Sequence, residues 1–213
     1  MKASAAREKE RRVVRADPAV RVELEAAGWA VIAGSWGAGL AIGGDSEGRL
    51  AALMRRVERL VTVRELRSSD VAAILDLDAV TAGDYPGDVA TAHDRLNSAQ
   101  ATPTIVHRGW GAFRPEGQLV GMTYVDVGEK AVETDFTVVQ QEMRGRGLGT
   151  AVKAASVLAL VEEGYVWFRT GGSLDNPASI AANRALGYVL DEEWLTFART
   201  GSTPGPRGPR RAA

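Results

Sequence analysis

From Gln140 to Thr150 the chain reads Gln-Gln-Glu-Met-Arg-Gly-Arg-Gly-Leu-Gly-Thr. An alternating apolar run, Val132 to Val139, precedes it, and an apolar helical run from Ala151 to Leu160 follows, so the local pattern is strand, glycine-rich turn, helix. Gly145, Gly147 and Gly149 strip side chains from the helix start, so successive backbone N–H groups can converge on an anion. The positive end of the helix dipole adds to that attraction, as do Arg144 and Arg146. A pyrophosphate is the natural ligand. Two carboxylates lie on the strand before it. Period-two alternation places Glu133, Asp135, Thr137 and Val139 on one face, with Val132, Phe136 and Val138 on the other.

Spacing decides which pyrophosphate. A P-loop needs two glycines bracketing four residues and then Lys with Ser or Thr, a sequel that neither Gly145 nor Gly147 has. A dinucleotide fingerprint fails because Thr150 stands where its third glycine belongs. What remains is R-x-x-G-x-G, formed by Arg144, Gly147 and Gly149. A second motif runs from Asn176-Pro177 to Leu186-Gly187-Tyr188. Asp175 or Asn176 can cap this helix, Pro177 suits its first turn and Gly187 its C-terminal end. Together the two motifs resemble the GCN5-related N-acetyltransferases over roughly Val61 to Arg199.

The resemblance implies an α+β fold with a mixed, mostly antiparallel central sheet, flanked by helices and splayed where acyl-CoA enters. It implies an N-acetyltransferase using acetyl-CoA, with a small or peptidyl primary amine as acceptor and direct attack on the thioester. By carry-over, the pantetheine arm runs along Thr137, Val138 and Val139. Arg144, Gly145, Arg146, Gly147, Leu148, Gly149 and Thr150 hold the pyrophosphate, and Asn176 and Asn183 contact the coenzyme from the later helix. Glu133 matches the position of a general base, with Asp135 as substitute. At the position where many members carry a thiolate-protonating Tyr this chain has Asn183, and an amide cannot supply a proton. Another residue protonates the thiolate, or it leaves unassisted. That departure keeps a non-catalytic acyl-CoA sensor or adaptor open as an alternative.

Several elements must position these residues. Ala3 to Arg15 reads as a charged helix or frayed tail, and Asp17 to Ala27 as a short helix ended by Gly28. Trp29 to Ile42 has strand composition broken by Gly34, Gly37 and Gly39, and Leu50 to Leu60 is helical by spacing. Gly28-Trp29 followed by Trp36 echoes Gly187-Tyr188 followed by Trp194, so residues 1–60 are an extension that reads as a partial repeat or as an unrelated helix and strand. The main domain, 61–199, opens with a strand at Val61–Leu66 and a helix from Ser69 through Leu77. A loop with Asp84, Tyr85, Pro86 and Asp88 leads to a second helix near Val89–Leu96; this loop is the expected acceptor wall. A hairpin, Thr104–Phe113 with Gln118–Val127, precedes the strand that carries the carboxylates. After the glycine turn and its helix come a strand at Tyr165–Thr170, the Asn176 helix and a closing pair of strands within Val189–Arg199. Residues 200–213 read as a disordered tail.

Composition narrows the function further. The chain has 213 residues, formal net charge −1, two histidines and no cysteine. Disulfides, thiolate chemistry and a multi-histidine metal centre are excluded, and a reducing cytoplasm is the expected compartment. The near-zero charge gives no reason to expect nucleic acid, and no apolar run suggests a membrane. Two of the five tryptophans lie in the first sixty residues. So much aromatic surface should be buried, either on the main domain or on a second subunit of a homodimer.

Overall fold

The computed structural model describes residues 10–83 and 95–199. The remainder of the charged start, most of the 81–93 loop with Asp84, Tyr85 and Asp88, the bulk of the expected 89–96 helix and the 200–213 tail lie outside them.

One eight-stranded sheet organises the chain, in the order β1-β8-β2-β7-β6-β5-β4-β3. Its strands are β1 Arg11–Arg15, β2 Trp29–Ala41, β3 Thr62–Glu65, β4 His107–Phe113, β5 Leu119–Val127, β6 Val132–Val139, β7 Trp167–Ser173 and β8 Val189–Arg199. Neighbours are antiparallel throughout except β6 and β7, which are parallel. The helices are α1 Pro18–Ala26, α2 Ser46–Arg55, α3 Val71–Thr81, α4 Ser98–Ala101, α5 Leu148–Glu162 and α6 Pro177–Leu186. Val138 packs in the cluster that holds α3 and α4, whereas its neighbour Val139 packs toward α5. Successive strand residues point to opposite faces, so these helices cover opposite sides of the sheet. Helix α5 is buried along nearly its whole length because the sheet lies on one side and α2 crosses the other.

Three expectations change. Val189–Arg199 is one 11-residue strand and not a closing pair. It holds no Gly, Pro or Asn, and its one turn-prone residue, Asp191, is absorbed as a bulge against β2, so no turn forms. Its partners come instead from the N-terminal extension, β1 on one side and β2 on the other. Arg11–Arg15, expected as helix or tail, is that edge strand. Trp29–Ala41 is a single 13-residue strand, unbroken by its glycines. A Cβ at Gly34 would stand 2.6 Å from Leu174 Cδ1 and one at Gly39 2.5 Å from Trp167 Cη2, so these glycines admit neighbouring side chains.

The echo between the two halves has a structural form. Asp17-Pro18 and Asn176-Pro177 open α1 and α6, each with its acidic or amide side chain capping the first turn. Gly28 and Gly187 follow these helices with φ of 82° and 101°, a region where an L side chain is strained. Trp29 and Tyr188 are then buried, and the two long strands run antiparallel against each other, Trp29 beside Arg199 and Gly39 beside Val189.

Candidate active site

Strands β6 and β7 form a fork. They pair at only two rungs, Val132 with Phe168 and Glu133 with Arg169. Beyond these, Thr134–Val139 follows β5 while Thr170–Ser173 follows β2. There the prongs do not pair with each other, and no other described strand enters the gap, the situation in which an extended ligand adds like a strand. Of the expected pantetheine contacts, Thr137 shares a 2.7 Å hydroxyl contact with Thr123, and Val138 is turned into the core, which leaves only its backbone for a ligand.

The glycine turn stands at the open end. Gly145 and Gly147 have φ of 72° and 86°, and Gly147 occupies the N-cap of α5 with no side chain capping that end. Leu148, Gly149 and Thr150 form the first turn of α5, whose backbone N–H groups have no partner within the helix, a geometry that suits an anion. Gly149 lets α5 approach β6: a Cβ there would already be in contact with Val139 and Thr137, at 3.5 and 3.7 Å. Arg144 donates from Nε to the Val139 carbonyl at 2.9 Å and so fastens the turn to β6. Arg146 is exposed and, with Arg56, lines a cavity of about 280 Å³ together with Leu53, Gly145, Gly147, Thr150 and Ala185. Arg56 comes from the extension and was not anticipated, because sequence separation hid its nearness. A larger cavity, about 420 Å³, lies beyond Arg146 and is lined by Arg114 as well as by Glu116 and Glu142.

The carboxylates sit differently from expectation. Val125 pairs with Thr134 and Tyr124 with Phe136, so Asp135 is an extra residue in a β-bulge. The bulge breaks the alternation that would have put Glu133, Asp135, Thr137 and Val139 on one face. Glu133 lies opposite Asp126 and beside Arg169, and Asp135 has its carboxylate within 4.8 Å of the His107 and Asp126 polar atoms. Both are exposed on the α3 side, whereas Val139 faces α5. His107 Nδ1 meets Asp126 Oδ1 at 2.7 Å, and its ring stacks on Tyr124 at 4.7 Å. Arg169 is ion-paired to Asp191 and, at 3.5 Å, to Glu192, and these partners hold its guanidinium firmly charged.

On the α5 side of the fork lies a buried polar cluster. Asn176 accepts from Ser179 N at 3.0 Å and is thereby the N-cap of α6, a structural use of a residue expected to touch coenzyme. Asn183 is only 1% exposed; its Nδ2 donates to the Ser179 carbonyl at 2.9 Å. Its Oδ1 accepts at 2.6 Å from Lys153 Nζ, which also donates to Thr170 Oγ1 at 3.0 Å. Lys153, itself 5% exposed, was missed; the signal was a lone lysine inside an apolar helical run. Burial alone pushes its ammonium down to about 7. Two tyrosines are closed off as proton donors. Tyr124 donates to the Ala101 carbonyl at 2.7 Å, Tyr188 is packed in the core, and burial pushes both phenols upward.

No protein-family model and no curated protein matches the sequence. Solved structures do. A GCN5-related N-acetyltransferase from Sphaerobacter thermophilus superposes with TM-score 0.64 at 13% identity, over 88% of this chain and 58% of its own. A GCN5-related N-acetyltransferase-like protein from Streptococcus suis gives 0.57 at 17% identity, over 86% and 69%. A tandem GNAT protein from the clavulanic acid biosynthesis pathway gives 0.56 at 20%, over 88% and 61%. These shares of the present chain exceed what residues 61–199 alone could supply, so part of the extension superposes too. The chain has the fold of the GCN5-related N-acetyltransferases.

Proposed function

We propose that the protein is an acyl-CoA-dependent N-acyltransferase that moves an acetyl group from acetyl-CoA to a primary amine. The observation that carries this reading is the fork of β6 and β7 opening toward the uncapped, glycine-lined N-terminus of α5. An extended arm ending in a pyrophosphate fits that shape and polarity. Leu148, Gly149 and Thr150 would receive the pyrophosphate on their N–H groups, with Arg146 and Arg56 supplying charge from either side. Backbone groups of Thr137, Val138 and Val139 would hold the arm. When bound, acetyl-CoA supplies an activated thioester carbonyl.

The chain's own task is then to deliver a neutral amine. An alkyl ammonium with a pKa near 10.4 costs roughly 4–5 kcal/mol to deprotonate at pH 7. Glu133 is the proposed proton acceptor, with Asp135 two residues along the same exposed side; both are within the strand that forms one prong. Asp126, Glu133 and Asp135 gather on this side of the sheet, where the Arg169 charge is already paired with Asp191 and Glu192, which favours the approach of a cation. Small or peptidyl amines both suit it. Acetyl-CoA turnover against a panel of amines, amino acids and amine-bearing antibiotics, followed by mass shift, is the test. Tight CoA binding with no acceptor turned over would leave an acyl-CoA sensor as the reading instead.

A further inference from the structure

Acyl transfer as proposed above leaves one chemical need unmet, a proton for the departing sulfur, and the role assigned here to the buried lysine rests on that reading. A lysine ammonium sealed in a core with no carboxylate beside it is costly, and an apolar side chain would fill the same space without that cost. Helix α5 supplies such side chains at most neighbouring inward positions, Ala151, Val152, Ala154, Ala155, Val157 and Leu160, with the small Ser156 turned back to the Lys153 carbonyl. Lys153 interrupts that row. Its Nζ donates to Thr170 Oγ1 and Asn183 Oδ1, and no protein acceptor among the described residues takes its third proton.

The place matters as much as the group. The last rung joining the prongs is Glu133 with Arg169. Thr170 is the next residue on β7, and Lys153 Nζ is 3.0 Å from its hydroxyl. Thr134 is the next residue on β6, and its side chain lies beside the Tyr188 hydroxyl. The Tyr188 ring in turn lies 5.5 Å from Nζ. The lysine therefore sits at the vertex of the fork, on the side opposite the exposed carboxylates. Asn183, at the position where the resemblance calls for a phenol, holds Nζ by its amide oxygen and has its own N–H₂ turned to Ser179.

We propose that Lys153 is the acid that protonates the departing thiolate, in place of a tyrosine, and that Asn183 and Thr170 are positioning residues that aim its ammonium. In the step, the amine nitrogen bonds to the acyl carbon and the C–S bond breaks, its electron pair staying on sulfur. The proton on Nζ passes to sulfur to give the free thiol and a neutral Lys153, while the carboxylate across the sheet takes the proton lost by nitrogen. Solvent restores both protonation states once the products leave. An ammonium with a pKa about 7 is an adequate acid for an alkyl thiolate, whose thiol ordinarily titrates at about 8.5 or above. Among the described residues the groups nearest Nζ are the Thr170 hydroxyl, the Asn183 amide and the Tyr188 ring, and of these only Tyr188 titrates.

Two measurements on the full chain and its K153M variant test this. In the first, the thiol of bound CoA is titrated by thiolate absorbance. In wild type the thiol and Lys153 should titrate as a coupled pair, with thiolate absorbance appearing below the ordinary thiol range, and K153M should return a single ordinary thiol titration, with CoA affinity within about threefold. In the second, kcat against pH should fall in wild type as the lysine loses its proton. K153M should lack that limb and be slower by about 10²-fold or more at pH 7. An unmoved thiol titration with kcat within threefold overturns the proposal. So does a loss of kcat that merely tracks lost CoA affinity, the mark of a structural role. If wild type binds CoA but acylates no amine, the transfer reading fails by itself and the thiol titration alone decides Lys153. Failure to bind CoA overturns both.

Discussion

Lys153 pulls stability and chemistry in opposite directions. Its folded pKa is about 7 against 10.5 when unfolded. Between those values the unfolded chain binds more protons, so stability rises with pH across that window, and the full cost of burial is felt below pH 7. Lys153→Met should therefore stabilise the fold most at pH 6–7, by an amount on the order of a few kcal/mol, with the gain shrinking toward pH 10 in thermal melts. A gain independent of pH would contradict the burial argument. The anion cradle makes a second demand on single residues. Gly147→Asp adds a negative charge and strains a residue with φ of 86°, so CoA binding measured by calorimetry should vanish while the cooperative melt survives. Arg146→Ala should weaken binding by only about 1.5–3 kcal/mol, as for one charged hydrogen bond. Unchanged affinity in the glycine variant would remove the pyrophosphate site. For the base, Glu133→Gln should lower kcat/KM roughly 10²–10⁴-fold at pH 7 with near-normal CoA affinity. The deficit should narrow at high pH, where the amine arrives neutral. If Glu133→Gln is fully active and Asp135→Asn is dead, the role moves to the bulge residue.

At the scale of elements, what was legible in the sequence was local. The strand, glycine turn and helix around residues 132–160 announce themselves through period and composition, and α6 through Asn176, Pro177 and Gly187 at its ends. The bulge at Asp135 has no glycine or proline to mark it; it follows from how β6 must track β5 beside it. Strand neighbours were equally hidden, since nothing in Trp29–Ala41 says that it will lie between β7 and β8. Lys153 was visible as a residue type, but its partners Thr170 and Asn183 meet it only through packing. The fork depends on such a nonlocal contact, because β7 must lie flat on β2 to leave β6. Gly171 faces Gly37 across that pair, and a Cβ on Gly171 would stand 2.9 Å from the Trp36 carbonyl oxygen. Gly171→Val should push the strands apart and cost about 1–3 kcal/mol by denaturant midpoint, with weaker CoA binding. A variant of unchanged stability would mean that the prong is not set by this contact.

For the molecule as a whole, the decisive fact is that the sheet is closed by strands from opposite ends of the chain. Strand β2 separates β7 from β8, and β1 covers the outer edge of β8. The extension also places Trp36, Leu40, Leu50 and Leu53 in the main core, and Trp29 packs with Leu24 and Phe197 in a smaller one. Its tryptophans are thus buried on residues 61–199, as their cost of exposure requires, and Arg56 reaches the cavity beside the glycine turn. Burying one large aromatic or aliphatic side chain is worth about 1.5–3 kcal/mol, so losing this group is comparable to the whole stability of an ordinary domain. Without β2, moreover, β7 and β8 each expose an unpaired edge, the condition that favours aggregation. The fragment Val61–Arg199 should therefore aggregate or melt without cooperativity when made alone. Supplied with residues 1–60 as a separate chain, it should regain solubility, a cooperative melt and CoA binding, because the missing strand needs no covalent link to pair. A fragment that purifies as a soluble, fully active monomer would show that β2 is dispensable and that the sheet can close by another route.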